Sequence, residues 1–342
     1  MRKIYEMIKT EYNYDLLGHN TFHLPAKCDI FIEYSHVEEL LQILNSEEVK
    51  DKPLYHIGGG SNLLFTGDFR GVVLHSAILG ISIEKETDDS VFLRCGAGEV
   101  WDDFVACCVS QELYGAENLS LIPGETGAAA VQNIGAYGVE IKDIIEIVET
   151  VEKESGKVVI FTNEGCRYGY RESIFKKELK DKYIVTHVVF RLSKKPMYKL
   201  EYGNISAEME GKEVTIKNVR ETIIAIRESK LPDPEEEGNA GSYFMNPFVG
   251  MSHFLALKEY YPQIPHYPVS EEFVKVPAAW LIEQCGWKGK SVGKAAVHDR
   301  QCLVLVNKGG ATASEIVALA LQIMESVESK FSVKLVPEVI YL

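Results

Sequence analysis

The segment between residues 121 and 140, LIPGETGAAAVQNIGAYGVE, constrains the fold more than any other part of the sequence. It contains four glycines, three consecutive alanines and only two charged side chains, Glu125 and Glu140. Glycine recurs where a backbone adopts a positive φ angle or approaches a ligand with no Cβ in the way. Two interpretations follow: a main-chain cradle whose N–H groups hold the phosphates of a large cofactor, or a tight loop packed between two domains.

Length and composition are typical of a soluble globular protein. The 342 residues are enough for roughly two or three domains, and 46% of them are hydrophobic and 25% charged. The formal net charge of −14 argues against nucleic acid or an anionic membrane surface as a partner. Because no apolar run approaches the length of a spanning helix and the N-terminus lacks the apolar core of a signal peptide, we expect no membrane insertion and a cytoplasmic location.

The seven cysteines are scattered along the chain. They form no C-x-x-C pair and no Cys/His spacing typical of a metal site. We therefore expect reduced thiols that mostly fill the core, and we predict no metal site.

Hydrophobic periodicity predicts strands and helices that alternate along the chain. Strands are predicted at 26–34, 54–57, 71–75, 91–95, 141–152, 157–161, 183–192, 301–306 and 333–342. Helices are predicted after a capping box formed by Ser35 and Glu38, over 101–113, 219–229 and 277–285, and from a cap at Thr312 to about residue 330. The prolines within 231–234 predict the main domain boundary.

A second glycine-rich turn, GGGSN at 58–62, directly follows the strand predicted at 54–57. Small residues at the end of a strand expose backbone N–H groups to a phosphate or pyrophosphate. The next residues, Leu-Leu-Phe, have no helical periodicity, so the turn is a poor match to the G-x-G-x-x-G dinucleotide fingerprint. A flexible turn without a ligand is the other interpretation.

Three polar side chains are candidates for chemistry, and each has a plainer alternative. Arg171 lies beside a tyrosine between two predicted strands, where it is either a bidentate carboxylate clamp or a surface residue. Ser242 lies between a glycine and aromatic residues, where its hydroxyl either faces a cleft or caps a turn. Glu338 lies among apolar residues of the last predicted strand, so it either needs a partner or a raised pKa, or it faces solvent.

Several motifs, taken in order, resemble those of one enzyme family. They are GGGSNLLF (58–65), GAGEVW (96–101), IPGETGAAAVQNIGAYGVE (122–140), CRYGYRESIF (166–175), KLPDP (230–234), GNAGSYFMNP (238–247), KVPAAWLIEQCGWKG (275–289) and VPEVIYL (336–342). This set covers nearly the whole chain and resembles the UDP-N-acetylenolpyruvoylglucosamine reductase (MurB) family of bacterial peptidoglycan synthesis. LEYGN at 200–204 resembles the subtype that keeps a tyrosine substrate loop.

The resemblance implies an α+β fold of the vanillyl-alcohol-oxidase (PCMH) type. Two FAD-binding subdomains are expected at 1–78 and 79–230, and an α+β substrate domain at 231–332, with the strand at 333–342 a candidate to pack on the first subdomain. The implied reaction is the NADPH-dependent reduction of UDP-N-acetylglucosamine enolpyruvate to UDP-N-acetylmuramate through non-covalently bound FAD. The expected protein is a bacterial, cytoplasmic monomer whose substrate is a UDP-sugar.

The same resemblance implies roles for individual residues. Ser242 is expected to donate a proton to the carbon left carbanionic after hydride addition, and Arg171 and Glu338 to handle the substrate carboxylate and its enolate-like intermediate. Cofactor contacts are implied for Gly58, Gly59, Gly60, Ser61, Asn62, Leu63, Pro123, Gly124, Gly127, Ala128, Gln132, Asn133, Gly135, Ala136, Tyr137, Gly138 and Arg227. Substrate contacts are implied for Tyr170, Tyr202, Lys230, Asn246, Tyr267, Lys275 and Gln301.

The chain departs from parts of the family pattern, and two other function classes stay open. Gly59 stands where some relatives carry another residue, the alanines at 128–130 replace a mixture of Ser, Gly and Pro, and Ile340 replaces a basic residue of some members, which weakens any cofactor contact there. One other class is a flavin oxidase of the same fold that tethers FAD covalently, with His56 as a candidate. The other is a nucleotide-sugar-binding protein without chemistry, against which the presence of Arg171, Ser242 and Glu338 argues.

Overall fold

The structure is a computed structural model that describes residues 8–342, and the chain divides into two compact units. The first comprises the chain up to Tyr14, Lys27–Gly59 and Phe69–Ser229, and the second comprises Asp15–Ala26, Gly60–Asp68 and Lys230–Leu342. The glycine-rich turn at 58–62 is therefore shared, with Gly58 and Gly59 in the first unit and the rest in the second. The three domains that the resemblance implies stay a prediction.

The elements follow one another as strands separated by helices and turns. The strands are β1 (Lys9–Asp15), β2 (Lys27–Tyr34), β3 (Leu54–Ile57), β4 (Leu63–Leu64), β5 (Phe69–Ser76), β6 (Ile81–Glu86), β7 (Ser90–Gly96), β8 (Gly135–Ala136), β9 (Val139–Glu140), β10 (Ile145–Glu152), β11 (Val158–Thr162), β12 (Tyr183–Ser193), β13 (Gly238–Ser242), β14 (Phe248–Gly250), β15 (Tyr267–Pro268), β16 (Phe273–Lys275), β17 (Ser291–Val292), β18 (Ala295–Val297), β19 (Val304–Asn307) and β20 (Ile340–Tyr341). The α-helices are α1 (Val37–Leu44), α2 (Trp101–Ser110), α3 (Thr126–Gln132), α4 (Ile205–Glu208), α5 (Ile216–Lys230), α6 (Met251–Tyr260), α7 (Ala278–Gln284) and α8 (Ala313–Phe331).

One sheet of the first unit has the strand order β1-β2-β5-β3, and β2, β5 and β3 run parallel. Its apolar side chains form a core with Leu40 and Ile43 of α1. The capping box of α1 lies one residue later than predicted, because His36 is the N-cap and Glu39 is its partner. The Glu39 carboxylate still accepts the Ser35 N–H at 2.6 Å. A capping box is thus present as predicted, but one residue later in the sequence.

The other large sheet of the first unit is antiparallel, in the order β11-β10-β12-β7-β6. Trp101 and Phe104 of α2 pack on Phe190 of β12, with ring centroids between 4.5 and 5.7 Å apart. All three side chains are fully buried. Burying a large apolar side chain stabilises a fold by about 1.5–3 kcal/mol, so this cluster anchors α2 to the sheet.

The second unit is built on an antiparallel sheet in the order β13-β19-β18-β17. Apolar residues of the long helix α8, among them Leu319 and Ile323, share one core with Leu305 of β19. The helix begins as predicted, since the Thr312 hydroxyl accepts the Glu315 N–H in a capping box. A smaller antiparallel sheet has the order β14-β16-β15, and β20 pairs with β4 in parallel.

The largest errors in the extent of predicted elements concern two strands. The strand predicted from residue 141 begins at Ile145, because Ile141–Asp143 forms a 3₁₀ turn. The strand predicted over 333–342 is reduced to β20. Buried and exposed residues still alternate from Val333 to Val336 as in an extended chain, but Pro337 has no N–H to give to a ladder.

The predicted state of the cysteines is confirmed. All seven are free thiols, and five of them are buried. Burial raises the pKa of the Cys28 and Cys302 thiols to about 11, as expected for core residues that stay protonated.

Candidate active site

The segment 121–140 contains the short helix α3, which has one buried and one accessible side. Thr126, Gly127, Ala129 and Ala130 are buried, whereas Ala128 and Gln132, four residues apart, are only half-buried. A Cβ on Gly127 would lie 2.8 Å from the Ala97 Cβ, closer than real side chains approach. Gly127 is therefore required for packing, and the accessible side carries the small Ala128.

The glycine-rich turn after β3 lies against the start of α3. A Cβ on Gly58 would lie 3.0 Å from the Ala128 Cβ and 3.2 Å from the Glu125 Oε2, and one on Gly59 would lie 3.6 Å from the Glu125 Oε1. A side chain at position 58 would therefore have to displace a neighbour, whereas a Cβ on Gly59 would make an ordinary contact. The structure thus brings together two segments that the sequence singled out separately, on a surface made of backbone and small side chains.

A charged network that the sequence analysis missed lies beside this turn. His75 of β5 is held between two carboxylates, with Nδ1 3.0 Å from Glu33 Oε2 and Nε2 2.8 Å from Glu125 Oε1. Burial lowers the pKa of His75, but the hydrogen bonds and charges of Glu125 and Glu33 outweigh it, so the pKa is raised. Glu33 and His75 are register partners in neighbouring strands, which no spacing in the sequence reveals.

His56, the candidate for a covalent flavin link, is engaged elsewhere. Its Nε2 lies 2.8 Å from the Tyr34 hydroxyl. Burial lowers the pKa of His56 to about 3, so the imidazole is neutral. His56 is thus a half-buried histidine whose ring is hydrogen-bonded to Tyr34.

Asn133 ends α3 and ties it to the loop that carries Arg171. It is fully buried, with a left-handed φ of 48°. Its Nδ2 donates to Gly169 O at 2.7 Å and Glu140 Oε2 at 3.1 Å, and its Oδ1 accepts the Lys142 N–H at 3.2 Å. Asparagine tolerates this conformation better than most residues. These hydrogen bonds fix the end of α3 to the loop that carries Arg171, and the predicted cofactor contact of Asn133 stays a prediction.

The guanidinium of Arg171 is held by the same segment. Its Nη2 donates to Gly135 O at 2.7 Å, and its Nη1 is 3.5 Å from Asn133 O. The guanidinium also lies 5.6 Å from the centre of the Tyr170 ring, within cation–π range. The residue itself has a φ of 56°, a conformation that costs energy and often marks a functional loop.

Residues 135–138 form the tip of the hairpin β8-β9 and approach two other predicted site residues. A Cβ on Gly138, whose φ is 79°, would lie 3.3 Å from the Tyr202 Cβ. Burial raises the pKa of Tyr137, opposed by the charge of Arg227. Burial lowers the pKa of Arg227, whose Nε donates to Leu121 O at 3.2 Å. Tyr202 and Arg227 thus contact the segment 121–138 at Gly138 and Leu121. Within that segment Gly124 and Tyr137 are half-buried, whereas Pro123 and Gly138 are exposed.

In the second unit, the rest of the glycine-rich turn is fastened to the C-terminal segment. Gly60 has a φ of 69°, and a Cβ there would lie 1.9 Å from His19 O, so no other residue fits. The Asn62 Nδ2 donates to Glu338 O at 3.2 Å, and Asn62 O accepts the Ile340 N–H at 3.0 Å. Leu63 and Ile340 are register partners, and Ser61 is half-buried between these anchors.

Backbone hydrogen bonds hold the chain segment that contains Ser242 beside the segment that contains Glu338. The Glu338 N–H donates to Tyr243 O at 2.8 Å, and Met245 N donates to Val336 O at 3.0 Å. Ser242 follows a bulge in β13 at which Gly241 has a φ of 66°. Bulges redirect side chains near functional sites. Glu338 is half-buried and lies before β20, so its assignment to the middle of an apolar strand is wrong.

The remaining predicted substrate residues of the second unit lie at the ends of elements. Asn246 Oδ1 accepts the Ala278 N–H at 2.9 Å and so caps α7. Tyr267 and Lys275 are register partners, and the Lys275 Nζ lies 5.9 Å from the Tyr267 ring centre. Gln301 Oε1 accepts the Leu303 N–H at 3.3 Å. Lys230 is exposed at the end of α5.

Metal-binding clusters and membrane-spanning helices are both absent from the described part of the chain. Among residues 8–342, no three His, Cys, Asp or Glu side chains are grouped so that they could hold a metal ion. No helix within the same residues has both the length and the apolar character needed to cross a membrane.

Known proteins resemble the chain along almost its whole length. The family model described as UDP-N-acetylenolpyruvoylglucosamine reductase, C-terminal domain, matches residues 233–342, and the model described as FAD binding domain matches residues 28–162. The UDP-N-acetylenolpyruvoylglucosamine reductase of Bacteroides fragilis (strain YCH46) is 54% identical over 97% of this chain and 100% of its own. That of Porphyromonas gingivalis (strain W83) is 47% identical over 96% and 98%.

A solved structure shows the same fold. The crystal structure of the reductase (MurB) from Thermus caldophilus has a TM-score of 0.68 at 21% identity and covers 98% of each chain. Together with the FAD-binding family model, this match confirms the predicted α+β fold class. The small-residue surface formed by Gly58, Gly59 and Ala128 lies within the matched FAD-binding region and fits a flat cofactor held through backbone.

Proposed function

This chain belongs to the UDP-N-acetylenolpyruvoylglucosamine reductase family, and we propose that it reduces UDP-N-acetylglucosamine enolpyruvate to UDP-N-acetylmuramate. The observation that carries the proposal is the 54% identity with the Bacteroides fragilis reductase over 97% of the chain. The reaction consumes NADPH and makes a precursor of peptidoglycan. We further propose that the protein is a monomer and that it is cytoplasmic, a location in keeping with its free thiols.

FAD is the cofactor, and we propose non-covalent binding to the small-residue surface. The residues that would hold it are Gly58, Gly59, Ala128 and the hairpin tip at 135–138. Bound FAD supplies a carrier that takes a hydride from NADPH and passes it to the enolpyruvyl double bond. The hydrogen bond between His56 and Tyr34 supports a cofactor released by acid precipitation rather than one tethered through that histidine.

Arg171 is proposed to stabilise the charge that develops on the substrate. Hydride addition to a double bond conjugated with a carboxylate moves negative charge towards the carboxylate oxygens. A guanidinium already oriented by Gly135 O and Tyr170 meets that charge without reorganisation. Such an interaction accelerates the reaction because it is stronger in the transition state than with bound substrate.

Ser242 is proposed to donate the proton that completes the reduction. Its hydroxyl O–H bond breaks as a C–H bond forms at the carbon next to the site of hydride addition. Glu338, whose N–H is bound to the residue after Ser242, is proposed to act on the same intermediate as a partner of Arg171. The proposed substrate contacts are Tyr170, Tyr202, Lys230, Asn246, Tyr267, Lys275 and Gln301.

The direct test measures NADPH oxidation with and without UDP-N-acetylglucosamine enolpyruvate. We expect oxidation that depends on this substrate and yields UDP-N-acetylmuramate, whose formation mass spectrometry detects. A purified protein that binds FAD but shows no substrate-dependent oxidation would overturn the proposal. Acid precipitation of the same preparation should leave the flavin in the supernatant.

A further inference from the structure

A carboxylate lies against the glycine-rich turn that follows β3. A Cβ on Gly58 would lie 3.2 Å from the Glu125 Oε2, and one on Gly59 would lie 3.6 Å from the Glu125 Oε1. Only 12% of the Glu125 side chain is exposed. A carboxylate is therefore held beside the backbone whose N–H groups are interpreted as contacts of a cofactor phosphate.

An ionised Glu125 opposes the binding of FAD at this turn. The pyrophosphate of FAD is negatively charged at neutral pH, and like charges repel more strongly where water is excluded. Salt screens such a little-exposed charge less than a charge in solvent. The carboxylate thus acts against the backbone N–H groups of the turn unless a positive group offsets its charge.

The imidazole of His75 lies between Glu125 and a second carboxylate. Its Nε2 is 2.8 Å from the Glu125 Oε1, and its Nδ1 is 3.0 Å from the Glu33 Oε2. An ionised carboxylate only accepts hydrogen bonds, whereas a neutral imidazole has a single N–H to donate. Both contacts are hydrogen bonds when both ring nitrogens carry a proton. The geometry therefore favours an imidazolium between two carboxylates.

Charged and titratable groups face this ring from several elements. Glu125 precedes α3, and Glu33 belongs to β2, where the Lys9 Nζ of β1 lies 3.4 Å from its Oε1. Burial raises the pKa of Glu33, but the hydrogen bond of His75 and the charge of Lys9 outweigh it, so the pKa is lowered. His56 of β3 is neutral, because burial lowers its pKa to about 3. Lys9 and the imidazolium thus compensate the two carboxylates.

We propose that the positive charge of His75 neutralises Glu125 and thereby permits the pyrophosphate of FAD to bind at the glycine-rich turn. The inference rests on the proposed function, in which the surface at Gly58 and Gly59 holds FAD. His75 is a positioning residue here, because it acts on the cofactor through Glu125. Binding of FAD and protonation of His75 favour each other, since a coupling between two ligands is reciprocal.

The test measures the affinity of the holoenzyme for FAD, by ultrafiltration of diluted protein and fluorescence of the released flavin. His75→Gln leaves the charge of Glu125 uncompensated and should weaken FAD binding by about 5- to 150-fold, the usual range of such couplings. Glu125→Gln removes the charge and should bind FAD at least as tightly as wild type. The double variant should bind FAD like Glu125→Gln, because no charge remains to be neutralised.

A pH profile separates the charge of His75 from its packing. The pKa of His75 is raised in the folded protein, so the imidazolium is complete at pH 6 and is lost as the pH rises through that pKa. Wild-type affinity for FAD should therefore be higher at pH 6 than at pH 9. His75→Gln should bind FAD equally weakly at both values, and Glu125→Gln should lose most of the pH dependence.

A matched control removes another histidine that faces a glutamate. His36→Gln takes away an imidazole whose Nδ1 lies 3.5 Å from the Glu39 Oε1 at the start of α1, and it should leave the affinity for FAD unchanged. Circular dichroism at the assay temperature confirms that each variant is folded.

The outcomes separate this inference from the proposed function. Wild-type affinity for FAD in His75→Gln would overturn the inference alone, as would an equal loss when His75→Gln is added to wild type and to Glu125→Gln. FAD-bound wild-type protein without substrate-dependent NADPH oxidation would overturn the proposed function, and the affinities for FAD would then still test the pair formed by His75 and Glu125.

Discussion

The surface proposed to hold FAD and the pair Ser242/Glu338 are assembled in different ways. In the first, α3, Asn133 and the hairpin β8-β9 lie within one continuous segment, to which the fold adds the turn at Gly58 and Gly59. In the second, two segments distant in sequence are joined by main-chain hydrogen bonds at Tyr243 and Met245. Most of the surface proposed for FAD is therefore encoded by residues close together in sequence. The position of Ser242 relative to Glu338 depends instead on the pairing of two segments that are distant in sequence.

The largest effect is expected from Ser242→Ala, which removes the proposed proton donor and leaves both main-chain arrangements intact. Ser242→Ala should lower kcat by about 10²–10⁴-fold, the usual cost of losing a positioned acid. NADPH should still reduce the bound flavin, because that step does not use the proton from Ser242. Stopped-flow absorbance at the flavin band separates the two half-reactions. Near wild-type turnover in this variant would contradict the role of Ser242, and Ser242→Cys tests whether another acid at the same position restores part of the rate.

The next largest effect is expected at His75. Its ring joins Glu125, the residue before α3, to Glu33 of β2. His75→Gln loses hydrogen bonds to charged groups that contribute about 1.5–3 kcal/mol each, so the free energy of unfolding should fall. The carboxylates of Glu33 and Glu125 face the imidazole, and the Lys9 Nζ lies 3.4 Å from the Glu33 Oε1. Chemical denaturation of both proteins across the pH range measures the difference.

The pH dependence of that difference has a definite sign. The pKa of His75 is raised in the folded state, so the stabilisation is complete below the unfolded pKa near 6.5 and is lost as pH rises through the folded pKa. The stability gap between wild type and His75→Gln should therefore be larger at pH 6 than at pH 9. An equal gap at both values would show that the imidazole is uncharged in this network.

A smaller effect tests the local packing of the cofactor segment. Gly127→Ala adds a Cβ that would lie 2.8 Å from the Ala97 Cβ, and overpacking of this kind costs about 1–3 kcal/mol. Gly67→Ala is the matched control, because a Cβ there meets nothing within 4 Å and should leave stability unchanged or slightly raised. Equal melting temperatures for the two variants would contradict a packing requirement at Gly127.

Much of the fold could be predicted because its signals are local. The capping box at Thr312, the periodicity of α8 and the glycine-rich turn after β3 depend on residues close together in sequence. Errors occurred where local signals compete: Ser35 and His36 are both followed by a glutamate three residues later, and only the structure selects Glu39. The strand predicted at 333–342 is shorter because its middle part makes only an isolated bridge to Phe244, at Pro337, which has no N–H to donate.

The amino-acid sequence identifies the family and hence the fold, and it marks the segments that carry the candidate site. Small residues at 121–140 predicted close backbone approach, since the absence of side chains is visible without a fold. The contacts of Glu125 with His75 and of Glu338 with Tyr243 could be read only from the folded chain. Such contacts depend on strand order and register, which are set by the packing of the whole unit and not by neighbours along the chain.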